Sequence, residues 1–365
     1  MSEWQTFCLK DLGKIVGGAT PPTNNPKNYG NKIAWITPKD LSTLQGRYIK
    51  KGSRSISRLG FKSCSCVLLP KHAILFSSRA PIGYVAIAEK RLCTNQGFKS
   101  IIPNKKIYFE FLYYLLKYHK DNISNIGGGT TFKEVSGATL GLFQVKIPPT
   151  YYEQQKIART LSILDQKIEN NHKINELLHN LAHKVYEYYF KYKPKNAKLE
   201  QIIIENPKSS IMVKNAQKTQ DKYPFFTSGD NTLSYPKAII DGRNCFLNTG
   251  GDAGIKFYVG KASYSTDTWC IGANEFSDYL YLLLLSIKTH INQSFFQGTS
   301  LKHLQKNLLK KYPIYMPSAH EIKKFNQIIM PLLTLISINT RTSKKLEQIR
   351  DFLLPLLLKQ QVKPQ

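Results

Sequence analysis

The sequence of 365 residues has few acidic side chains, no CxxC cysteine pair and no long apolar run. No apolar stretch reaches the ~18 residues needed to cross a bilayer, and no signal-peptide pattern opens the chain. The cysteines form no CxxC pair and no regular framework: Cys8, Cys64, Cys66, Cys93, Cys245 and Cys270. Such cysteines are typical of free thiols in a reducing compartment, so we expect a cytoplasmic protein rather than a membrane-spanning or secreted one.

The motifs of nucleotide-dependent and DNA-modifying enzymes are missing as well. No GxGxxG follows a predicted strand, and GDAGIK at 251–256 lacks the spacing and the Ser/Thr of a Walker A loop. The segment IPPT at 147–150 has neither the Asn/Asp acceptor nor the aromatic residue that an adenine methyltransferase loop requires. We therefore expect no catalytic residue and no cofactor site in this chain.

Candidate metal ligands are equally incomplete. Acid-x-Lys triplets begin at Asp165 and Glu321, but both fall on predicted long helices, where residues two apart face different directions. His179 and His183 have the i, i+4 spacing of zinc ligands, yet no Cys or acidic partner completes the set. We interpret the two histidines as part of a solvated helix face and expect no metal site.

Positive charge is abundant. The formal net charge is +28, from 52 Lys and Arg against 24 Asp and Glu. Residues 1–150 hold 22 basic against 7 acidic side chains, and residues 194–318 hold 15 against 9, so the charge is spread over folded segments. A surface this basic indicates a polyanionic partner, and nucleic acid is favoured over a membrane surface.

An internal repeat organises the chain. The pattern GTTFK at 129–133 matches GTSLK at 298–302, and each copy is followed by alternating apolar residues that predict a strand ending at a proline. Upstream, LFSSRAPIG at 75–83 faces FLNTGGDAG at 246–254, and TNQ at 94–96 faces STD at 265–267. The chain therefore contains two tandem modules.

Each module is followed by a long helical pattern of five unbroken heptads. The apolar seams agree at an offset of 168, including a polar layer in which Asn171 and Asn175 correspond to Asn339 and Ser343. A buried Asn weakens a coiled coil but fixes its register, so the shared layer favours pairing of the two helices. Two unrelated amphipathic helices that pack on separate cores remain the alternative. A proline at 331 and another at 355 should kink or shorten the second helix.

These patterns predict an α+β fold with a definite order of parts. We place a first module at 1–150, a long helix at 151–193, a second module at 194–318 and a second long helix at 319–365. Both modules are rich in glycine, aromatic and β-branched residues with short alternating runs, which is typical of mixed α/β domains with twisted sheets.

Several segments resemble the target-recognition domains of type I restriction enzyme specificity subunits, in the family's order and over essentially the whole chain. They are GGATP at 17–21, AWITPKDL at 34–41, SSRAPIG at 77–83, the Gly-Thr-Thr/Ser loops, and PP at 148–149 leading into EQQKIA at 153–158. The second module departs from the pattern, because FFTSG at 225–229 stands where Trp-Ile-Thr-Pro would be expected.

The resemblance implies two target-recognition domains in a pseudo-two-fold arrangement, separated by an antiparallel coiled coil of the two long helices. Each domain would recognise one half of a bipartite site in double-stranded DNA, and the helices would set the gap. It also implies two modification subunits that methylate adenine, and restriction subunits; S-adenosylmethionine, ATP and Mg would be bound by these partners. A type IIB-like partner set, a self-contained DNA methyltransferase or nuclease with an unrecognised site, and a structural coiled-coil protein with basic domains are the alternatives.

Candidate DNA-binding residues are those that can neutralise phosphates or recognise base edges. In the first module they are Arg47, Lys50, Lys51, Arg54, Arg58, Arg79, Asn95, Gln96, Thr130 and Lys133. In the second module they are Lys214, Lys218, Lys237, Arg243, Thr249, Lys256, Thr266, Thr299 and Lys302. A solvated charged face, capping by the amides and simple turn formation by the glycine loops are the alternatives for these positions.

Overall fold

The computed structural model describes residues 3–129, 133–216 and 222–363. The chain divides into two compact units. Unit one comprises Met1–Glu169 and Ile349–Gln365, and unit two comprises Asn170–Gln348. Each unit therefore contains one of the repeated modules and one portion of each long helix.

The first module, in unit one, alternates short strands with short helices. Its strands are β1 (Gln5–Cys8), β2 (Gly13–Gly17), β3 (Tyr29–Ile36), β4 (Tyr48–Ile49), β5 (Arg54–Ile56), β6 (Ile74–Ser78), β7 (Ile82–Ala88), β8 (Cys93–Thr94), β9 (Lys99–Pro103) and β10 (Gln144–Ile147). Its helices are α1 (Leu9–Leu12), α2 (Pro38–Ser42), α3 (Arg58–Lys62), α4 (Phe109–Asn125) and α5 (Gly137–Leu142), with a 3-10 turn at Pro26–Asn28.

Two sheets form the body of the first module. One has the strand order β2-β9-β6-β7-β4, the other has the order β5-β3-β8, and β1 pairs with β10 at the chain's entry to the first long helix. The central strand β6 is buried on both faces, because α4 packs on the sheet as well. In the second sheet β3 and β8 run parallel, with Trp35 opposite Cys93 and Ile36 opposite Thr94. Parallel pairing places the carboxyl ends of both strands at one edge.

The first long helix, α6, spans Tyr151–Phe190 and leads into the second module. The strands of that module are β11 (Ala197–Lys198), β12 (Ile204–Glu205), β13 (Tyr223–Phe226), β14 (Leu233–Tyr235), β15 (Arg243–Asn248), β16 (Ile255–Val259), β17 (Ser263–Tyr264), β18 (Thr268–Gly272), β19 (Phe296–Gln297), β20 (His303–Leu304) and β21 (Pro313–Ile314). Its helices are α7 (Ser277–Ser286), α8 (Lys288–Ser294) and α9 (Lys306–Lys310), with 3-10 turns at Leu199–Gln201, Val213–Asn215 and Asn274–Phe276.

The second module repeats the topology of the first, except that no strand among the described residues corresponds to β4. Its sheets have the orders β12-β18-β15-β16 and β14-β13-β17, and β11 pairs with β21 as β1 pairs with β10. Here too two strands run parallel in the smaller sheet, with Phe225 opposite Ser263 and Phe226 opposite Tyr264. The predicted α+β class with two similar modules is confirmed, although the FFTSG segment departs from the first module's sequence.

The second long helix, α10, spans Ala319–Leu358 without interruption. The expected shortening by the prolines is therefore wrong, and the expected kink stays a prediction. Pro331 is exposed, while Ile329 and Leu333 on either side of it are buried in the core of unit two. Tertiary packing of the apolar face holds the helix through a residue that removes one backbone hydrogen bond. Pro355 lies in the last turn of the helix, where less helix remains to be disrupted.

Within unit two, the predicted polar layer joins the two long helices. Asn171 Nδ2 donates to Ser343 Oγ at 3.1 Å, and Asn339 Nδ2 donates to Asn175 Oδ1 at 2.9 Å. Residue numbers increase along one helix as those of their partners decrease along the other, so the pairing is antiparallel. Two helices packed on separate cores would not share these bonds, and the coiled-coil prediction is confirmed for this portion.

Among the helices of the described residues, none combines the length and the apolar composition that a bilayer crossing requires.

Candidate nucleic-acid interface

The carboxyl ends of the parallel strands in the first module meet several loops at one edge. We name this edge the first rim and define it as segments 18–20, 37–38, 78–80 and 95–97. Asn95 N donates to Ile36 O at 2.9 Å, and Ser78 N donates to Gly97 O at 2.8 Å. Ala19 N donates to Thr94 O at 3.0 Å, which ties the third loop to the same edge. The first rim is therefore a fixed platform built by backbone hydrogen bonds.

The GGATP motif contributes to the first rim by close approach. A Cβ atom at Gly18 would lie 2.0 Å from Asn95 O and 2.5 Å from Thr94 Oγ1, so only glycine fits there. The motif then places Thr20 so that its hydroxyl donates to the Gln96 side-chain oxygen. Gln96 is exposed and oriented by this bond, as expected of an amide that contacts a ligand.

Arg54 lies beside the first rim on β5, opposite Trp35. Its guanidinium carbon is 4.0 Å from the ring centroid of Tyr29 and 6.0 Å from that of Trp35. The residue is exposed, so the stacked guanidinium keeps its donors available to solvent. This is a preorganised cation of the kind that binds guanine or phosphate.

The second module builds the same edge, which we name the second rim and define as segments 227–230, 249–251 and 265–267. Ser265 N donates to Phe226 O at 2.9 Å, and Thr249 N donates to Asp267 O at 3.2 Å. The Thr249 hydroxyl also donates to Asp267 O at 2.7 Å, and the Ser228 hydroxyl donates to the same oxygen. Thr266, between these anchors, is exposed.

The two rims share their hydrogen bonds as well as their topology. The bond from Asn95 to Ile36 corresponds to that from Ser265 to Phe226, and both measure 2.9 Å. The match between TNQ at 94–96 and STD at 265–267 aligns Asn95 with Thr266, whereas the strand pairing makes Ser265, one residue earlier, the structural equivalent of Asn95. The strand ends of both copies therefore have the same geometry, although the sequence match is displaced from it by one residue.

The repeated glycine loops attach to the rims through a further matched bond. Val135 N donates to Ser78 O at 3.0 Å in the first module, and Leu304 N donates to Thr249 O at 3.0 Å in the second. These bonds bring the segments that contain Lys133 and Lys302 beside the rims, where both lysines are exposed. Thr299 is exposed in the same loop as Lys302, whereas Thr130 lies outside the described residues.

Arg79 and Asn95 have partners within the first rim. Arg79 Nη1 lies 3.4 Å from Glu134 Oε2, and the Arg79 side chain is 36% exposed. Asn95 Oδ1 accepts from Gly97 N at 3.0 Å, which is the capping alternative raised for this amide. Arg79 thus retains exposed donors, whereas Asn95 holds the loop that presents Gln96.

Arg47 does not face solvent, so the prediction that it contacts DNA is wrong. Its side chain is only 3% exposed and lies among the carboxylates of Glu110, Asp165 and Glu169. The basic stretch at 47–58 therefore contains one buried cation, Arg47, which is neutralised inside the protein, and several exposed ones. The exposed members are Lys50, Lys51, Arg54 and Arg58.

The prediction that Arg243 contacts DNA is wrong for a similar reason, because this guanidinium is also paired with a buried carboxylate. Its guanidinium forms two hydrogen bonds to Asp278, one of them 2.5 Å from Nε, and another to Thr334 Oγ1 at 2.9 Å. Lys256 is half-buried, and its Nζ donates to Thr227 O at 2.7 Å and to Gly229 O. Burial lowers the pKa of Lys256, with Asp230 and Asp267 opposing the shift. Lys256 therefore shapes the second rim from within.

The remaining cations of the second module are placed differently. Lys214 is exposed in a turn whose neighbour Ile211 accepts from Thr266 N at 3.0 Å, so this turn flanks the second rim. Lys237 is exposed, and its carbonyl accepts from Ser263 Oγ. This bond places Lys237 at the amino end of β17. Lys237 is thus not brought to the second rim, and Lys218 lies outside the described residues.

The histidines and acidic triplets on the long helices have structural surroundings. The ring of His179 packs edge-on to Tyr281 at 6.4 Å, and burial lowers the pKa of His179, so its assignment to a solvated face is wrong. His183 is partly exposed, with Nε2 3.9 Å from Glu187 Oε1. No group of three or more His, Cys, Asp or Glu that could hold a metal occurs in residues 3–129, 133–216 and 222–363.

Comparison with known proteins agrees with this duplicated architecture. The family model described as the type I restriction modification DNA specificity domain matches residues 1–180 and 195–348. The type I restriction enzyme MjaIX specificity subunit of Methanocaldococcus jannaschii is 33% identical, over 98% of this chain and 93% of the relative. The HindI specificity subunit of Haemophilus influenzae is 30% identical, over 46% of this chain and 37% of the relative.

A solved structure supports the fold. The S subunit of a type I restriction-modification system from M. genitalium superposes with a TM-score of 0.64 at 17% identity, covering 98% of this chain and 96% of that chain. The family model matches each module in turn, as the repeated sheets and rims require. The chain belongs to the type I restriction-modification DNA specificity family.

Proposed function

We propose that this chain is the DNA-recognition subunit of a type I restriction-modification complex and that each module recognises one half of a bipartite target. The observation that carries the proposal is the duplicated rim: two equivalent strand-end platforms, with matched hydrogen bonds, in a chain of net charge +28. A polar platform on a basic protein fits double-stranded DNA, whose phosphates bind cations and whose base edges bind amides, hydroxyls and guanidinium groups.

Different residues serve these two purposes. At the first rim, Tyr29 holds the neighbouring Arg54 and Thr20 holds Gln96, which suits recognition of base edges. On the second rim, Thr266 is the exposed side chain between two anchored neighbours. Exposed lysines suit phosphate contacts, which position a protein on the duplex without selecting a sequence: Lys133, Lys214 and Lys302 beside the rims, and Lys50 and Lys51 after β4.

The chemistry belongs to partner subunits in this proposal, and this chain is not itself an enzyme. Modification subunits, two per chain, would bind S-adenosylmethionine and methylate adenine, and restriction subunits would use ATP and Mg to translocate and cut DNA. The complex would act on double-stranded DNA in the cytoplasm. The duplicated modules give each half of the target its own recognition surface, while the long helices separate the two halves by a fixed gap.

Methylation mapping tests the proposal. The chain is co-expressed with its cognate methyltransferase in cells that lack other adenine methylation, and modified sites are mapped across the genome. We expect a split motif of two short half-sites with an unspecified gap. A continuous short palindrome, or methylation that does not depend on this chain, would overturn the two-module assignment.

A module exchange provides the matched control. Residues 194–318 are replaced by the corresponding module of another family member, and the new motif should differ in one half-site while the other half-site and the gap stay the same. Purified chain alone, incubated with S-adenosylmethionine or magnesium, should neither methylate nor cut DNA. Activity of the isolated chain would favour a self-contained enzyme, and binding without any sequence preference would favour a structural basic protein.

A further inference from the structure

A buried network of charges joins the first module to the long helices within unit one. Arg47, in the loop before β4, has Nη1 2.9 Å from Glu110 Oε1 and Nε 3.1 Å from Glu169 Oε1. Glu110 lies on α4 of the module, whereas Glu169 lies on α6. The guanidinium therefore connects a module loop, a module helix and a long helix at a site almost closed to solvent.

Both the carboxylate of Glu169 and the loop that carries Arg47 are adapted to the contact between them. Glu169 Oε1 also accepts from the backbone N of Arg47 at 2.9 Å, so one carboxylate oxygen holds the side chain and the main chain of the same residue. The preceding Gly46 has a φ of +125°, and a Cβ there would lie 3.2 Å from Glu169 Cγ and from its Oε1. Only glycine adopts this backbone conformation without strain, and the absence of a side chain lets the loop approach the carboxylate closely.

The second long helix enters the same network through Asp165. Its Oδ2 accepts from the Tyr114 hydroxyl at 2.6 Å, and its Oδ1 accepts from Arg350 Nη1 at 2.7 Å. Arg350 lies on α10 and Tyr114 on α4, so Asp165 joins the module to both helices. Asp165 is 5% exposed and Arg350 is 12% exposed.

Such a network defines geometry more than it adds stability. Buried ion pairs recover little beyond the cost of desolvating their charges, and apolar replacements of similar volume are often as stable. Apolar contacts between the module and the helices provide adhesion, but burial of apolar surface is not directional. Directional, charge-assisted hydrogen bonds restrict the angle at which two elements can pack.

We infer that the Glu169–Arg47 link is a positioning device that fixes the orientation of the first module on the long helices, and through it the gap length that the protein accepts between half-sites. The inference rests on the proposed recognition of a bipartite target. One base pair added to the gap moves a half-site by about 3.4 Å along the duplex and turns it by about 35°. A module held at one angle cannot follow that rotation, whereas a module with fewer directional bonds to the helix can follow it further.

The test compares Glu169→Ala with two matched variants in the full chain, co-expressed with the cognate methyltransferase. Glu169→Ala removes both hydrogen bonds from Arg47 to Glu169 but leaves Arg47 paired with Glu110 and Tyr114 bonded to Asp165, so the module keeps its internal ion pair and one polar bond to α6. Glu169→Gln retains an acceptor oxygen for Arg47 and serves as the conservative rescue. Glu176→Ala removes an exposed glutamate one heptad further along the same helix and serves as the control.

The measurement is methylation at genomic copies of the two half-sites with the native gap and with gaps one base pair shorter or longer. We expect at least about tenfold preference for the native gap in the wild type, Glu169→Gln and Glu176→Ala, and a fall to within about threefold in Glu169→Ala. The half-site sequences should stay the same in all four proteins. If Glu169→Ala accumulates poorly, Glu169→Asp, which keeps the charge but shortens the reach, takes its place with the same expectation.

The outcomes separate this inference from the proposed function. A wild type without a split motif refutes bipartite recognition itself. A split motif whose gap preference is unchanged in Glu169→Ala overturns the positioning role. Equal loss of methylation at every gap length, without relaxed preference, also overturns it, because the residue would then act only in folding.

Discussion

Replacing Arg243 by Met should destabilise the second module instead of removing a DNA contact. The substitution preserves much of the side-chain volume but leaves Asp278, whose side chain is 2% exposed, without its bidentate partner. It also removes the bonds from the guanidinium to Thr334 Oγ1 and to the carbonyl of Met330 on α10. Breaking a buried ion pair from one side costs about 3–5 kcal/mol, which corresponds to a Tm lower by roughly 10 °C in a domain of this size.

The loss should depend on pH in a defined direction. Burial already raises the pKa of Asp278, and Arg243 opposes that shift in the wild type. Without Arg243 the folded-state pKa rises further above the unfolded value of about 3.9. A carboxyl group of this kind stabilises the fold below the unfolded pKa, and the contribution disappears as pH rises through the folded pKa. The difference in Tm between variant and wild type should therefore be large at pH 8 and shrink towards pH 4.

Differential scanning calorimetry across this pH range is the assay, combined with DNA binding well below the variant's Tm. Lys237→Met, at an exposed cation of the same module, is the control and should leave the Tm unchanged. Adding Asp278→Asn to Arg243→Met should recover part of the lost stability at neutral pH, since no buried charge remains. An unchanged Tm together with weakened DNA binding would refute this reasoning and return Arg243 to the set of DNA contacts.

Three further substitutions test other parts of the structure. Arg54→Ala should weaken binding by about 1–3 kcal/mol at one base-pair position and relax specificity there, measured with a panel of single-base target variants. Lys51→Ala should weaken binding to all sequences alike and reduce the slope of log K against log salt by about 1, and an unchanged slope would exclude a phosphate contact. Replacing Asn171 and Ser343 together by Leu should raise the Tm, because an apolar layer replaces a polar one, while a lower Tm would show that the layer contributes to stability and not only to register.

Much of the architecture could be predicted from the sequence because it depends on periodic patterns. Heptad spacing predicted both long helices, and the shared polar layer predicted that Asn171 and Asn175 would face α10, as their hydrogen bonds confirm. The repeated GTTFK and GTSLK segments predicted two equivalent modules, which the common order of seven strands in the two sheets of each module bears out. The predicted shortening failed at Pro331, where burial of the neighbouring helix face outweighs a local helix-breaking tendency.

The candidate site was less accessible to sequence reasoning. Arg47 and Arg54 are similar in sequence context, yet one is neutralised by buried carboxylates and the other is exposed on an aromatic ring. Glu110 and Glu169, which neutralise Arg47, are distant from it along the chain, and nothing in the sequence around them indicates this pairing. Thr20 and Tyr29, which orient exposed side chains of the first rim, were not selected either, because a hydroxyl or a ring is informative only once its partner is known.

The sequence by itself determined that this protein has two tandem modules, two long helices with a common polar layer, and a positive charge suited to a polyanion. These properties follow from composition and periodicity, which are local and repeat along the chain. Only the tertiary structure decided which cations are available, how the strand ends form two matched rims, and that Arg47 and Arg243 are each paired with buried carboxylates. Those outcomes depend on burial and on contacts between residues far apart in sequence, where the cost of desolvating a charge is met by a partner that no local pattern reveals.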